Sequence, residues 1–210
     1  MIIGITGSSG SGKSTICKML EKDYNVKVIN ADKIAKKLSK KGSSYIIDII
    51  KTFGKDIVDE NGELKRKKLA EIIYSNPEKR EALNKCTFKY IKAEIIKQIK
   101  KIKDNTTILI DAPLLFEAEL DKICDKVIGV ISNKELQIER IVARDNIDYE
   151  QAEKRLSAQK SNDFYKNNCD VIIENYNNYV FVENTIKEIS NKYRLDKKTW
   201  FLRPSLFNID

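Results

Sequence analysis

A lysine and a hydroxyl stand together at Lys13 and Ser14, behind glycines at positions 7, 10 and 12, in the opening stretch MIIGITGSSGSGKST. From Gly7 the residues read G-S-S-G-S-G-K-S, which fits G-x-x-x-x-G-K-[ST] at every fixed position. The chemistry this spacing serves is the binding of nucleotide phosphates. Glycines let successive amides turn toward one anion without Cβ clashes, and a following helix brings free N–H groups and its positive dipole end to the same point. The amides of Gly7, Ser8, Ser9, Gly10, Ser11 and Gly12 form the candidate cradle, continued by Lys13, Ser14 and Thr15. Lys13 is placed to reach the β- and γ-phosphates, and the Ser14 hydroxyl to ligate Mg²⁺. A plain Gly/Ser linker is the competing reading. A linker has no reason to lie between the β-branched run IIGIT and the amphipathic STICKMLEK, with Ile16, Met19 and Leu20 on one face.

Three further groups narrow the chemistry. Asp32, in VKVINADKIAKKL, stands just past an apolar run, where a carboxylate can accept the proton of an attacking hydroxyl. It could equally cap the helix that KIAKKL begins. Asp111 ends ILID, the pattern of a Walker B strand whose carboxylate supports Mg²⁺, often through water; a strand-edge cap is the alternative. Arg140, Arg144 and Arg155 lie in an arginine-rich stretch and could neutralise charge that builds in a transition state, or could pair with Glu139, Asp145 and Glu153.

The elements that must position these groups can be read from periodicity. IIGIT (2–6), VKVIN (26–30), TILID (107–111), KVIGVI (126–131) and DVIIEN (170–175) read as strands, with amphipathic helical patterns between several of them. This alternation predicts an α/β fold with a five-stranded parallel sheet flanked by helices. Between the second and third strands, SYIIDIIKTF (44–53), RKKLAEIIYS (66–75) and a long helix over 77–103 predict a helical insertion, with a turn at Asn61–Gly62. Ser132 and Glu135 form a capping-box pattern, S-x-x-E, ahead of a helical hairpin over 133–168. A C-terminal helix is expected around 180–193, and the tail, with Trp200 and Phe201, fits no element.

At 210 residues the chain can bury a sizeable core. It has no apolar run long enough to cross a bilayer and no basic-then-apolar leader, so a cytoplasmic, membrane-independent protein is expected. Four dispersed cysteines and no histidine exclude a His-containing zinc site and suit reduced thiols. The net charge of +8 suits polyanions without choosing among them. The basic runs at 36–41, 65–68 and 97–103 lack interleaved aromatics and read as solvated helix faces. A guanine switch is disfavoured, because SNKEL (132–136) puts Leu136 where N-K-x-D needs an acid and D-A-P-L follows Asp111 instead of D-x-x-G.

Taken together, G-S-S-G-S-G-K-S-T (7–15), N-A-D-K-I-A (30–35), F-G (53–54), D-E-N-G-E-L (59–64), D-A-P-L-L-F-E (111–117), Q-I-E-R-I-V-A-R-D (137–145), R-L-S-A-Q (155–159) and D-V-I-I-E-N (170–175) resemble the dephospho-coenzyme A kinases. The resemblance runs from about residue 1 to about residue 178. It implies a P-loop kinase fold made of a core (1–35, 106–132 and 169–195), a helical substrate-binding insertion (36–105), a helical lid (133–168) and a tail (196–210). It implies transfer of the ATP γ-phosphate to the ribose 3′-hydroxyl of dephospho-coenzyme A, with Mg²⁺. Asp32 would be the base or the group that orients the hydroxyl, Lys13 a phosphate ligand, and Arg144, with Arg140 as second candidate, the lid arginine. Substrate contacts would come from Asp32 and from Asp111, Leu115 and Phe116, and the metal would sit on Ser14 with Asp111. The implied partners are ATP and dephospho-coenzyme A, with neither nucleic acid nor membrane, in a monomer or weak homo-oligomer. The chain departs from the family in three places. Phe88 and Lys89 stand where the family often has His-Pro, Ser8 and Ser9 replace part of G-G-I-G, and Asn30 replaces the first acid of D-A-D. Two other readings remain open here: a different nucleoside or nucleotide kinase, and a nucleotide-dependent nucleic-acid-binding protein, marked by steep salt dependence.

Overall fold

A computed structural model describes residues 1–103 and 105–198. The five apolar runs form the strands β1 (Ile2–Thr6), β2 (Val26–Asn30), β3 (Thr107–Asp111), β4 (Lys126–Ile131) and β5 (Val171–Glu174). All pairings are parallel, in the order β2-β3-β1-β4-β5. β5 is one residue shorter at each end than its sequence pattern. Asp170 instead accepts the Val127 amide on its side chain at 2.8 Å, and the Asn175 amide donates to Ile131 O.

Strand residues alternate between two cores, as the two-residue period of a strand requires. Ile3, Ile5, Leu109, Ile128 and Val130 face α1 (Lys13–Asp23) and the last described helix, Tyr179–Lys192. Ile108, Ile110 and Val127 face the other way, against α2 (Ala31–Leu38) and a long helix at Pro77–Ile99. Both faces are thus covered, which explains why the strands read as continuous apolar runs.

The insertion comprises α3 (Ser44–Phe53), α4 (Arg66–Ser75) and α5 (Pro77–Ile99). Tyr45, Ile46, Ile49, Ile57 and Leu69 give it a core of its own. Asn76 accepts the Lys79 amide at 3.0 Å and Pro77 occupies the first helical position, so α5 starts where the proline signals it. The first half of α5 packs Leu83, Cys86 and Tyr90 on the insertion core, and the second half packs Ile91 and Ile95 on the sheet core. That division lets one helix hold the insertion beside the sheet edge. The D-E-N-G-E-L stretch closes a tight turn: Gly62 N–H donates to Asp59 O, the Asp59 carboxylate accepts the Glu63 amide at 2.8 Å, and Val58 bridges Leu64.

Residues 133–168 hold three helices, α6 (Lys134–Asp145), α7 (Tyr149–Ser157) and α8 (Asn162–Asn168), where a two-helix hairpin is expected. The third starts at Ser161, whose hydroxyl accepts the Phe164 amide. The cap of α6 also differs from the S-x-x-E pattern. Asn133 accepts the Leu136 amide at 3.0 Å, while the Ser132 hydroxyl donates to Asn175 O at 2.7 Å. A tertiary partner has taken the serine, and the next residue serves the helix. The chain then passes through α9 (Tyr179–Lys192) to residues 196–198, which lie beside the end of α1 through Asn25 N–H to Asp196 O and Lys198 N–H to Asp23 O. Residues 199–210 of the tail, Trp200 and Phe201 among them, lie outside the described residues.

Candidate active site

The loop between β1 and α1 sits at the carboxyl edge of the sheet, between the ends of β3 and β4. Two of its glycines are required by geometry. Gly12 has φ +97°, and a Cβ there would lie 2.0 Å from the Asn175 side-chain nitrogen. Gly7 has φ +143°, and its Cβ would lie 2.1 Å from Val130 O. The loop is then strapped from outside. Gln137 Nε2 donates to Ser8 Oγ, Arg140 Nη1 to Gly10 O at 2.8 Å and Asn175 Nδ2 to Ser11 O at 2.9 Å, while Gln159 Oε1 accepts the Ser9 amide at 2.7 Å. A stretch that is flexible by composition is held in one shape by its neighbours. Lys13 folds back over the loop, donating to Gly7 O and Ser8 O. Burial pushes its ammonium below the usual lysine value, and the nearby charges of Asp111 and Asp32 oppose that shift.

Asp111 ends β3 in register with Asn30 of β2 and Ile5 of β1. It is buried, and burial raises its carboxyl while Lys13 and the Asn30 hydrogen bond pull it back. Asn30 does two jobs at once. Its Nδ2 donates to Asp111 at 2.6 Å, and its Oδ1 caps α2 through the Lys33 amide at 2.8 Å. The cap position of α2 is therefore filled, so Asp32 is not a cap. It lies exposed in the first turn of α2, with its side chain in the cleft.

That cleft, of about 790 Å³, brings together Lys13, Ser14, Asp32, Asp111, Arg144 and Arg155. Asp32 also lines a second cavity of about 420 Å³ in the insertion, with Lys36 and Arg66 beside Tyr45, Leu69 and Ile73. A third cavity of about 390 Å³ shares Gly12, Thr15 and Arg140 with the cleft and is walled by Ile16, Met19, Tyr179 and Val182.

The three arginines separate into two kinds. Arg140 spends its guanidinium on the protein: besides Gly10 O it donates to Asn175 O at 3.2 Å and to Asn177 Oδ1 at 2.6 Å. It is a strut for the phosphate loop. Arg144 and Arg155 share Asp145, with Arg144 bidentate at 2.8 Å to each oxygen and Arg155 at 2.5 Å. Arg144 also donates to Ser9 Oγ at 3.1 Å. The hydrogen bond from Arg144 holds the Asp145 carboxyl below its usual range. Asp145, which the sequence offers as a surface partner for these arginines, accepts from both of them beside the cleft. Gln137, Gln159 and Asn175 carry no chemical signal of their own in the sequence, although all three fall within the family-like stretches.

Two expected substrate contacts lie elsewhere. Leu115 is fully buried in the sheet core, against Gly4, where any Cβ would lie 2.9 Å from the Leu115 methyl. Phe116 is half-buried and packs edge-to-face on Phe164 at 5.3 Å. The D-A-P-L-L-F-E stretch reaches the main cleft through Asp111, Pro113, Leu114 and Glu117 instead. A chain leaving a buried strand must turn, and which of two adjacent leucines faces inward depends on that turn. Phe88 likewise packs into the sheet core, and Lys89 is exposed with its ammonium 5.5 Å from the Tyr90 ring.

The family model for dephospho-CoA kinase (CoaE) matches residues 1–180. The chain belongs to this family. It is 48% identical over 179 residues to the dephospho-CoA kinase of Fusobacterium nucleatum subsp. nucleatum, spanning 85% of this chain and 91% of that one. The solved dephospho-CoA kinase of Campylobacter jejuni superposes with a TM-score of 0.65 at 32% identity, covering 91% of this chain and 98% of that one. The fold is also shared with TT1252 from Thermus thermophilus, with a TM-score of 0.79 at 24% identity over 91% of this chain and 97% of that one. Within the dephospho-CoA kinase family frame, the loop, the buried Asp111 and the exposed Asp32 occupy one continuous edge of the sheet.

Proposed function

We propose that this chain transfers the γ-phosphoryl group of ATP to the ribose 3′-hydroxyl of dephospho-coenzyme A, giving coenzyme A and ADP. The observation that carries the reading is the position of Asp32, which lines both the cleft of the phosphate loop and the cavity of the helical insertion. A carboxylate there can meet a donor on one side and an acceptor on the other.

Lys13 and the loop amides other than that of Ser9, which Gln159 Oε1 already occupies, hold the phosphates of ATP, and the adjoining cavity at Ile16, Met19 and Val182 suits a flat base. The insertion cavity, with Lys36 and Arg66 beside apolar side chains, suits an acceptor that carries both a diphosphate and an uncharged arm. Asp32 accepts the proton of the attacking hydroxyl as its oxygen bonds to the γ-phosphorus. The bond from that phosphorus to the bridging oxygen breaks, and ADP leaves with its charge met by Lys13 and the loop amides. Arg144 and Arg155, held by Asp145, face the same phosphates and neutralise charge spread over the equatorial oxygens.

Ser14 and Asp111 fit a Mg²⁺ ion that enters with the nucleotide: both are hard oxygen donors that line the cleft. The ion would supply charge neutralisation at the β- and γ-oxygens. We assign residues 36–105 to the acceptor, 133–168 to the lid and the remaining core to ATP. No described helix is long and apolar enough to cross a membrane, and we place the protein in the cytoplasm as a monomer or weak homo-oligomer.

The test is ADP release with ATP and Mg²⁺, with and without dephospho-coenzyme A, together with the mass of the product. Stimulation with a gain of one phosphate is expected. Turnover of a nucleoside or nucleoside monophosphate instead would select another kinase. Asp32→Asn is expected to keep ATP affinity and lose turnover by about 10²- to 10⁴-fold; normal turnover in that variant would remove Asp32 from its role.

A further inference from the structure

The R-L-S-A-Q stretch at 155–159 contributes Arg155 to the cleft, and its last residue has no part in the chemistry above. Gln159 lies just past α7, beyond the capping residue Ala158, and its backbone N–H closes the helix end on Leu156 O. Its side chain crosses to the phosphate loop. Oε1 accepts the Ser9 amide at 2.7 Å, a contact between residues 150 positions apart. The same loop residue takes a second lid group, since the Ser9 hydroxyl accepts from Arg144 Nη2 at 3.1 Å. Arg144 in turn shares Asp145 with Arg155. One serine therefore ties the last turn of α6, through Arg144, and the segment just past α7, through Gln159, to the loop, and Arg155 lies in α7 between those two ties.

Gln159 is uncharged, so it adds little to the field at the phosphates. What its hydrogen bond fixes is a distance. We propose that Gln159 is a positioning residue for phosphoryl transfer: by docking the end of α7 on the Ser9 amide, it sets the Arg144–Asp145–Arg155 group over the phosphates. This rests on the kinase reading of the same cleft. Arginine charge acts on a developing transition state only when it is correctly placed, and displacement by about an ångström is enough to cost large factors in rate. The arginines themselves sit on long side chains at the surface of α6 and α7, so their height over the loop is set by how the helices are docked.

The test uses Gln159→Leu, which keeps the side chain's size and removes the acceptor. The expected result is a fall in kcat of about tenfold with the KM for ATP changed by less than about twofold. In an Arg144→Ala/Arg155→Ala background the same change is expected to cost less than about twofold, because both arginines it positions are gone. A rise in KM with kcat preserved would make Gln159 a direct phosphate ligand, and equal losses in both backgrounds would make it a general structural contact; either overturns the proposal. A second readout needs no substrate. Amide hydrogen exchange over residues 146–160 is expected to quicken in Gln159→Leu, with the thermal midpoint of the whole protein moved by less than about 2 °C. Unchanged exchange overturns the docking role even in a protein with no kinase activity, whereas an inactive wild type with quickened exchange overturns only the kinase reading.

Discussion

Replacement of Arg140 by methionine separates two roles that an arginine near phosphates can play. A finger touches only the reacting phosphates, and its loss leaves the resting protein intact. The geometry gives Arg140 a different role, because its guanidinium donates to Gly10 O at 2.8 Å, Asn175 O at 3.2 Å and Asn177 Oδ1 at 2.6 Å. Hydrogen bonds from a charged donor contribute about 1.5–3 kcal/mol each when buried. This group is half-buried, and these bonds, with longer ones to Ser132 Oγ and Asn175 Oδ1, are not independent, so their joint loss is expected to cost about 2–4 kcal/mol. For a protein of this size that lowers the thermal midpoint by about 5–15 °C. Arg140→Lys is expected to recover little, since a point charge cannot span three acceptors. The assay is thermal unfolding of wild type, Arg140→Met and Arg140→Lys without nucleotide, followed by ATP binding and turnover. A midpoint within about 2 °C of wild type, with turnover lost and ATP affinity kept, would refute the strut and restore the finger.

Leu115→Ala is expected to destabilise the fold by about 2–5 kcal/mol, because the side chain is fully buried in the sheet core, while the KM for dephospho-coenzyme A stays near wild type; a raised KM in a stable protein would return Leu115 to the substrate site. Tyr90 donates to Asp48 at 2.6 Å and joins α5 to α3. That bond holds the Asp48 carboxyl below its ordinary value, so the stability it contributes is present above about pH 4 and lost as pH falls through the lowered folded value. Tyr90→Phe is thus expected to be less stable than wild type in denaturant titrations at neutral pH, with the gap shrinking in acid; a gap that widens in acid would contradict the assignment.

Much of this molecule is legible in one dimension, and the reason is local. The strands and helices follow from β-branched runs and from apolar residues spaced for one face, so Ile2–Thr6, Ser44–Phe53 and Arg66–Ser75 fall where periodicity puts them. The phosphate loop is legible because its chemistry is carried by backbone amides, and only glycine at 7, 10 and 12 permits their arrangement. The family-like stretches name the right segments for the same reason. What the sequence leaves open are the choices that distant contacts make. Ser132 turns to Asn175 and passes the cap of α6 to Asn133, and Asn30 caps α2 and frees Asp32 for the cleft. Of two neighbouring leucines, Leu115 goes under Gly4 and Leu114 faces the cleft. Arg140 is bound by carbonyls from two segments remote in sequence, and Arg144 and Arg155 meet on Asp145. A side chain's type states which bonds it can make; which it does make depends on what folding places within about 3 Å of it, and here that is decided by tertiary structure.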